Sequence, residues 1–150
     1  MEIDKEKYYD ITKNTKPHSN LIKFLNLNLP PQKAIDLGCG AGRDTIALLK
    51  NNWEVLAIDK EDTESIIKEQ LTVQELKKFK FSNSVFGQMN LPKVNLIVAN
   101  FSLPFAKKEY FNLIWDKINN SIINNRLLCR EFFWKKRFVD EIKKRFSIFI

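Results

Sequence analysis

Histidine occurs once in these 150 residues, cysteine twice and glycine only four times. Each scarcity excludes something. Cys39 and Cys129 are too few for a disulfide framework and fit a reducing cytoplasm. One histidine and two distant cysteines cannot supply a typical closed metal site, so no metal is expected. No apolar run approaches the length needed to cross a bilayer, and the opening MEIDKEKYYD is a polar mixture rather than a secretory leader. The expectation is one cytoplasmic domain, long enough to bury a real core.

Acidic residues are outnumbered, giving a net charge of +7, but the excess is not spread evenly. Residues 1–125 hold 17 Lys and Arg against 15 Asp and Glu, whereas residues 126–150 hold 8 against 3. The tail also has four of the five arginines and no asparagine. The basicity is therefore a property of the tail, and no nucleic-acid or membrane partner is expected for the rest. The chain divides into residues 1–125 and an atypical basic tail, 126–150.

Between these limits the pattern alternates. Leu21, Ile22, Phe24 and Leu25 have helical spacing, with Asn20 as a candidate cap and Pro30-Pro31 as a stop. KAIDLGC (33–39) reads as a buried strand, 43–51 as a helix stopped at Asn51-Asn52, and WEVLAID (53–59) as a second strand. Residues 61–70 read as a helix, 79–86 as a weaker strand, 94–102 as a strand and 106–123 as a helix. Strands alternating with helices imply an α/β fold, a Rossmann-like doubly wound and mostly parallel sheet. In such sheets ligands bind beyond the carboxyl ends of the strands at the switch point, here near 36–44, 59 and 100–104.

Three of the four glycines alternate in Asp36-Leu37-Gly38-Cys39-Gly40-Ala41-Gly42. Between a strand and a helix, such a run lets a ligand lie against the main chain at a positive helix end. A dinucleotide loop would place its third glycine at position 43, which is Arg43. The spacing G-x-G-x-G after Asp36 is instead that of loops binding S-adenosylmethionine (SAM). Asp59, at the end of the second strand, can accept bonds from both ribose hydroxyls, or can cap the helix that follows.

The blocks AIDLGCGAGRDTIALL, NNWEVLAIDKE and NLPKVNLIVANFSLPF resemble the small class I methyltransferases of the tellurite-resistance, TehB-like type. The resemblance covers roughly residues 8–123 and implies an enzyme transferring the SAM methyl group to a small nucleophile, a chalcogen oxyanion among the candidates. It implies that Asp36, Gly38, Cys39, Gly40 and Gly42 line the methionine part of the cofactor and Asp59 the ribose. Ser84 and Phe86 match the place of the adenine. Asn100, Phe101, Leu103 and Pro104 match the loop beside the transferring methyl. Tyr8, Tyr9 and His18 are candidates for covering or contacting the substrate, although aromatic residues and a lone histidine are more often packing groups.

The resemblance stops at the tail. The family's fifth strand is usually opened by glycines, and NNRLLCREFFWKKRFVDEIKKRF has none. One allowed back-translation of 126–144, moved on by one nucleotide, reads GYFVGNFFGKKDSWMKLK, similar to the family's fifth strand and the segment after it. The expectation is a fold incomplete at its C-terminal end, with a tail translated out of frame. The alternative is a native basic helix with Phe138, Ile142 and Phe146 on one face. Three readings of function follow: a methyltransferase, a SAM-binding fragment without turnover, or a basic RNA- or membrane-associating module.

Overall fold

The computed structural model describes residues 4–100, 110–123, 126–128 and 147–149. Its elements are α1 (Lys5–Thr12), α2 (Ser19–Leu25), β1 (Lys33–Leu37), α3 (Arg43–Lys50), β2 (Glu54–Asp59) and α4 (Glu64–Lys68). These are followed by α5 (Val73–Leu76), β3 (Phe79–Asn83), β4 (Leu96–Val98), α6 (Phe111–Ser121), β5 (Arg126–Leu128) and β6 (Ser147–Phe149). The strands lie in the order β3-β2-β1-β4-β5-β6, and every pairing among the described residues is parallel.

Successive strand residues point to opposite faces, and the chain fills both. Ala34, Val55, Ala57, Leu96 and Val98 join α2 and α3 through Leu21, Phe24, Leu48 and Leu49, with Ile67 of α4. Ile35, Leu37, Ile58, Ile97 and Ala99 join Met89, Val94 and the Ile114, Ile118, Ile122 row on and just beyond α6. Spacing of four places that row on one helical face. Phe24 and Trp53 meet with ring centroids 5.7 Å apart and close the first core at the foot of the sheet.

The sheet fits an incomplete class I methyltransferase fold. The switch point falls between β1 and β4, the two strands expected to flank it. Several local expectations change. Asn20 does not cap α2: it lies within the helix, fully buried and bonded to Asn100, and His18 takes the cap position. The helix ends before the prolines, with Asn28 at φ 52° turning the chain. The expected helix over 61–70 shortens to α4, and α5 follows with a reciprocal cap between Thr72 and Glu75. That box was readable as T-x-x-E in TVQE. Asn52, at φ 66°, is the left-handed stop expected after α3.

The tail supplies two three-residue strands, with β5 beside β4 and β6 beside β5. β5 occupies the fifth-strand place without the glycines that usually open it. The candidate amphipathic helix through Phe138, Ile142 and Phe146 lies outside the described residues, as do Phe101 and Pro104.

Candidate functional site

Beyond the carboxyl ends of β1, β2 and β4 opens a cavity of about 910 Å³. This lies in the range of small-molecule and cofactor sites. Asp36, Gly38, Cys39, Gly40, Asp59, Ser84, Phe86 and Asn100 line it, and so do Tyr8, Tyr9 and His18. Residues spread over 92 positions in sequence thus converge on one space, as the switch-point argument requires.

The glycine loop is built by hydrogen bonds as well as by residue type. Gly38 N and Cys39 N both donate to Ile58 O, at 2.7 and 3.2 Å, fastening β1 to β2. Gly40 turns at φ 52°, and a Cβ there would meet only Tyr9 Cε1, at 3.9 Å. The space beside it is open to a ligand. Gly42 stands apart from the cavity wall. It has φ 90°, and a Cβ would lie 2.8 Å from Ile67 Cγ1, so this glycine admits α4 rather than a ligand.

Asp59 is tied to that loop. Its Oδ2 accepts from Gly40 N at 2.9 Å and its Oδ1 from Glu61 N at 2.9 Å. Each oxygen retains lone-pair capacity beyond that one bond, and the residue lines the cavity. It does not cap the next helix, which begins at Glu64 after Thr63. Asp36 is deeply buried, and Thr45 Oγ1 donates to its Oδ2 at 2.7 Å. Burial, then the negative charge of Asp44, pushes its carboxyl up to about 8.

Asp44, which falls in the 43–51 helix and which sequence reasoning did not single out, is the residue that gathers the polar side of the cavity. His18 N donates to its Oδ1 at 2.9 Å, His18 Nδ1 lies 2.7 Å from its Oδ2, and Asn100 Nδ2 donates to the same Oδ2 at 2.9 Å. Asn20 Nδ2 in turn donates to Asn100 Oδ1 at 2.6 Å. Burial works to raise the Asp44 carboxyl, but the His18 bond and charge, with Asn100, outweigh it and hold it below the ordinary value. The missed signal was its position, an acid in the first turn after a glycine loop.

The remaining walls are looser. Tyr9 is half-buried, and burial with the charges of Asp59 and Glu61 pushes its phenol up to about 12, so it remains a donor. Tyr8 packs edge-on against it at 5.7 Å and is half exposed. Cys39 is buried near Thr63, and desolvation with the Asp36 and Asp59 charges raises its thiol well above the ordinary value. It is a neutral wall, unsuited to nucleophilic work. Val85, Gly87, Gln88, Tyr110 and Ile114 also line the cavity and carried no motif. Lys117 Nζ of α6 fastens the segment that carries Val85, Gly87 and Gln88 by donating to Met89 O at 2.7 Å. Among the described residues no group of His, Cys, Asp and Glu could hold a metal, and no helix is long and apolar enough to cross a membrane.

Solved structures share this architecture. TehB from Haemophilus influenzae superposes with a TM-score of 0.72 at 19% identity, over 94% of this chain and 55% of that one. A TehB-like SAM-dependent methyltransferase from Corynebacterium glutamicum gives 0.70 at 17%, over 93% and 78%. The 1,6-didemethyltoxoflavin-N1-methyltransferase of Burkholderia thailandensis, solved with bound 1,6-didemethyltoxoflavin and S-adenosylhomocysteine, gives 0.60 at 18%, over 71% and 47%. At such identities the likeness establishes the fold. The chain spans about half the length of the first solved structures it matches, 51% and 55%. No curated protein matches it in sequence. The family model described as Tellurite resistance protein TehB matches residues 1–125, and the chain belongs to that family.

Proposed function

We propose that this cavity binds SAM and that the protein is a SAM-dependent methyltransferase acting on a small nucleophile. The observation that carries the reading is the loop at Gly38–Gly40, opened by left-handed glycines and closed by Asp59, on the floor of a cavity at the switch point. The chain's residues fit such a cofactor. Asp36 offers a buried acceptor near the loop, Asp59 a two-oxygen acceptor for ribose hydroxyls, and Ser84 with Phe86 a wall for the adenine. When bound, SAM supplies a methyl group already activated by the sulfonium. What remains for the protein is to align the acceptor and exclude water.

The finer reading is a chalcogen oxyanion such as tellurite as acceptor. The family description and the basic groups at the cavity, Lys5, Arg43 and Lys60, support it. Calorimetry with S-adenosylhomocysteine tests the site, and transfer of labelled methyl from SAM to tellurite tests the reaction. Absence of binding heat and of any thermal shift would sink the reading.

A second reading concerns the tail. The family match ends at residue 125, where lysine and asparagine give way to arginine. This favours a tail out of frame and a SAM-binding fragment with little turnover. Sequencing the DNA across the codons for 120–144 tests it. Codons that do not spell GYFVGNFFGKKDSWMKLK in the next frame would dispose of the frameshift.

A further inference from the structure

We propose that Tyr9 is a cofactor-binding residue, and that the bound cofactor, rather than the core, completes the packing of α1. The proposal rests on the cofactor reading above and extends the site from its floor to its cover. Lys5, Tyr8, Tyr9 and Thr12 all wall the cavity. Their spacing places them on one face of the helix. Eight residues are too few to sustain a helix alone, so a helix of this length is held by what its inward face packs against. Here that face looks onto the cavity, and no residue of α1 is buried. The surface missing from its packing is the surface a ligand brings.

Tyr9 is the member of that face set against the glycine loop. Its Cε1 lies 3.9 Å from the point where a Gly40 Cβ would stand. Among the described residues beyond the loop's own neighbours, nothing else comes within 4 Å of that point. Tyr8 braces the ring edge-on, with centroids 5.7 Å apart. Tyr9 thus faces the stretch of loop that would carry the methionine part of the cofactor. Among the described residues its hydroxyl meets no hydrogen-bond partner, and burial with the charges of Asp59 and Glu61 keeps it protonated. A protonated donor in the field of Asp59 suits a ribose hydroxyl, whose oxygen accepts while its hydrogen goes to the carboxylate.

Amide hydrogen exchange and calorimetry with S-adenosylhomocysteine test this together. In wild-type protein the ligand is expected to slow exchange across α1 by about tenfold or more. Tyr9→Ala is expected to bind it about 10- to 100-fold more weakly and to lose that protection. Tyr9→Phe, which keeps the ring and gives up the hydroxyl, is expected to fall between, at about 3- to 10-fold weaker. Because α1 buries nothing in the core, the unliganded melting temperature of both variants is expected to match wild type. A clear drop there would make Tyr9 a structural group and overturn the proposal. So would Tyr9→Ala binding within about twofold of wild type, or tighter binding, the mark of a ring that only plugs the site. The wild-type exchange measurement needs no variant to fold, and binding that leaves α1 exchange unchanged overturns this proposal alone. Failure of wild-type protein to bind S-adenosylhomocysteine overturns the cofactor reading as well, and calorimetry shows that first.

Discussion

The two sides of the cavity are made differently. The floor, residues 36–45 with Asp59 and Asn100, sits at the ends of central strands and is held by buried and part-buried polar bonds at 2.6–2.9 Å. The cover, α1, has no buried residue and is joined to the floor side by an ion pair between Lys5 and Glu61, in which the lysine is 70% exposed. Groups that define a binding geometry need over-determined positions. A segment that must let ligand in and out is drawn from the weakly held parts of a fold.

The largest effect that would sharpen this contrast is expected in the floor. Asp44→Ala removes the common acceptor of the His18 ring, the His18 amide and Asn100, and should cost about 3–5 kcal/mol in urea unfolding, the scale for breaking a buried ionic partnership. A loss within error would show that the network is not what holds the floor.

Asp36 gives a pH signature. Its folded value of about 8 lies above the ordinary 3.8, so between those limits the folded chain retains a proton that the unfolded chain has released. Stability should therefore fall as pH rises from about 4 to 8, and Asp36→Asn should flatten that slope. Melting temperatures over this range decide it, and a wild-type curve that rises with pH contradicts the burial argument.

A smaller cost is expected at Gly42. An added Cβ meets Ile67 at 2.8 Å on a backbone at φ 90°, so Gly42→Ala should lose about 1–3 kcal/mol, partly recovered when Ile67→Val is combined with it. No recovery in the double variant would assign the loss to the backbone angle alone. The smallest effect belongs to the cover: Lys5→Ala should leave the melting temperature unchanged while amide exchange in α1 quickens. A clear drop in melting temperature would make α1 part of the framework.

The same contrast explains what the sequence made legible. β1, β2 and α3 were readable because apolar runs and the glycine cluster are local signals, and Asp59 was readable from its place at a strand end. The Asn20–Asn100 bond joins residues 80 positions apart, and no local rule pairs them. Asn20 therefore looked like a helix cap, a role its residue type favours when burial is unknown. Gly42 looked like its two neighbours, yet its lack of a side chain serves Ile67, a contact visible only once α4 is placed. Two strands of three residues, β5 and β6, are too short to show any period.

The protonated state of Asp36 has a calorimetric consequence. At neutral pH a donor bearing a sulfonium and an ammonium group would enter beside a carboxyl that still holds its proton, and its positive charge would favour the carboxylate. Capture would then expel hydrogen ions into the medium. The apparent heat would differ between phosphate and Tris in proportion to their enthalpies of ionisation, and the association constant would climb with alkalinity until Asp36 is already bare.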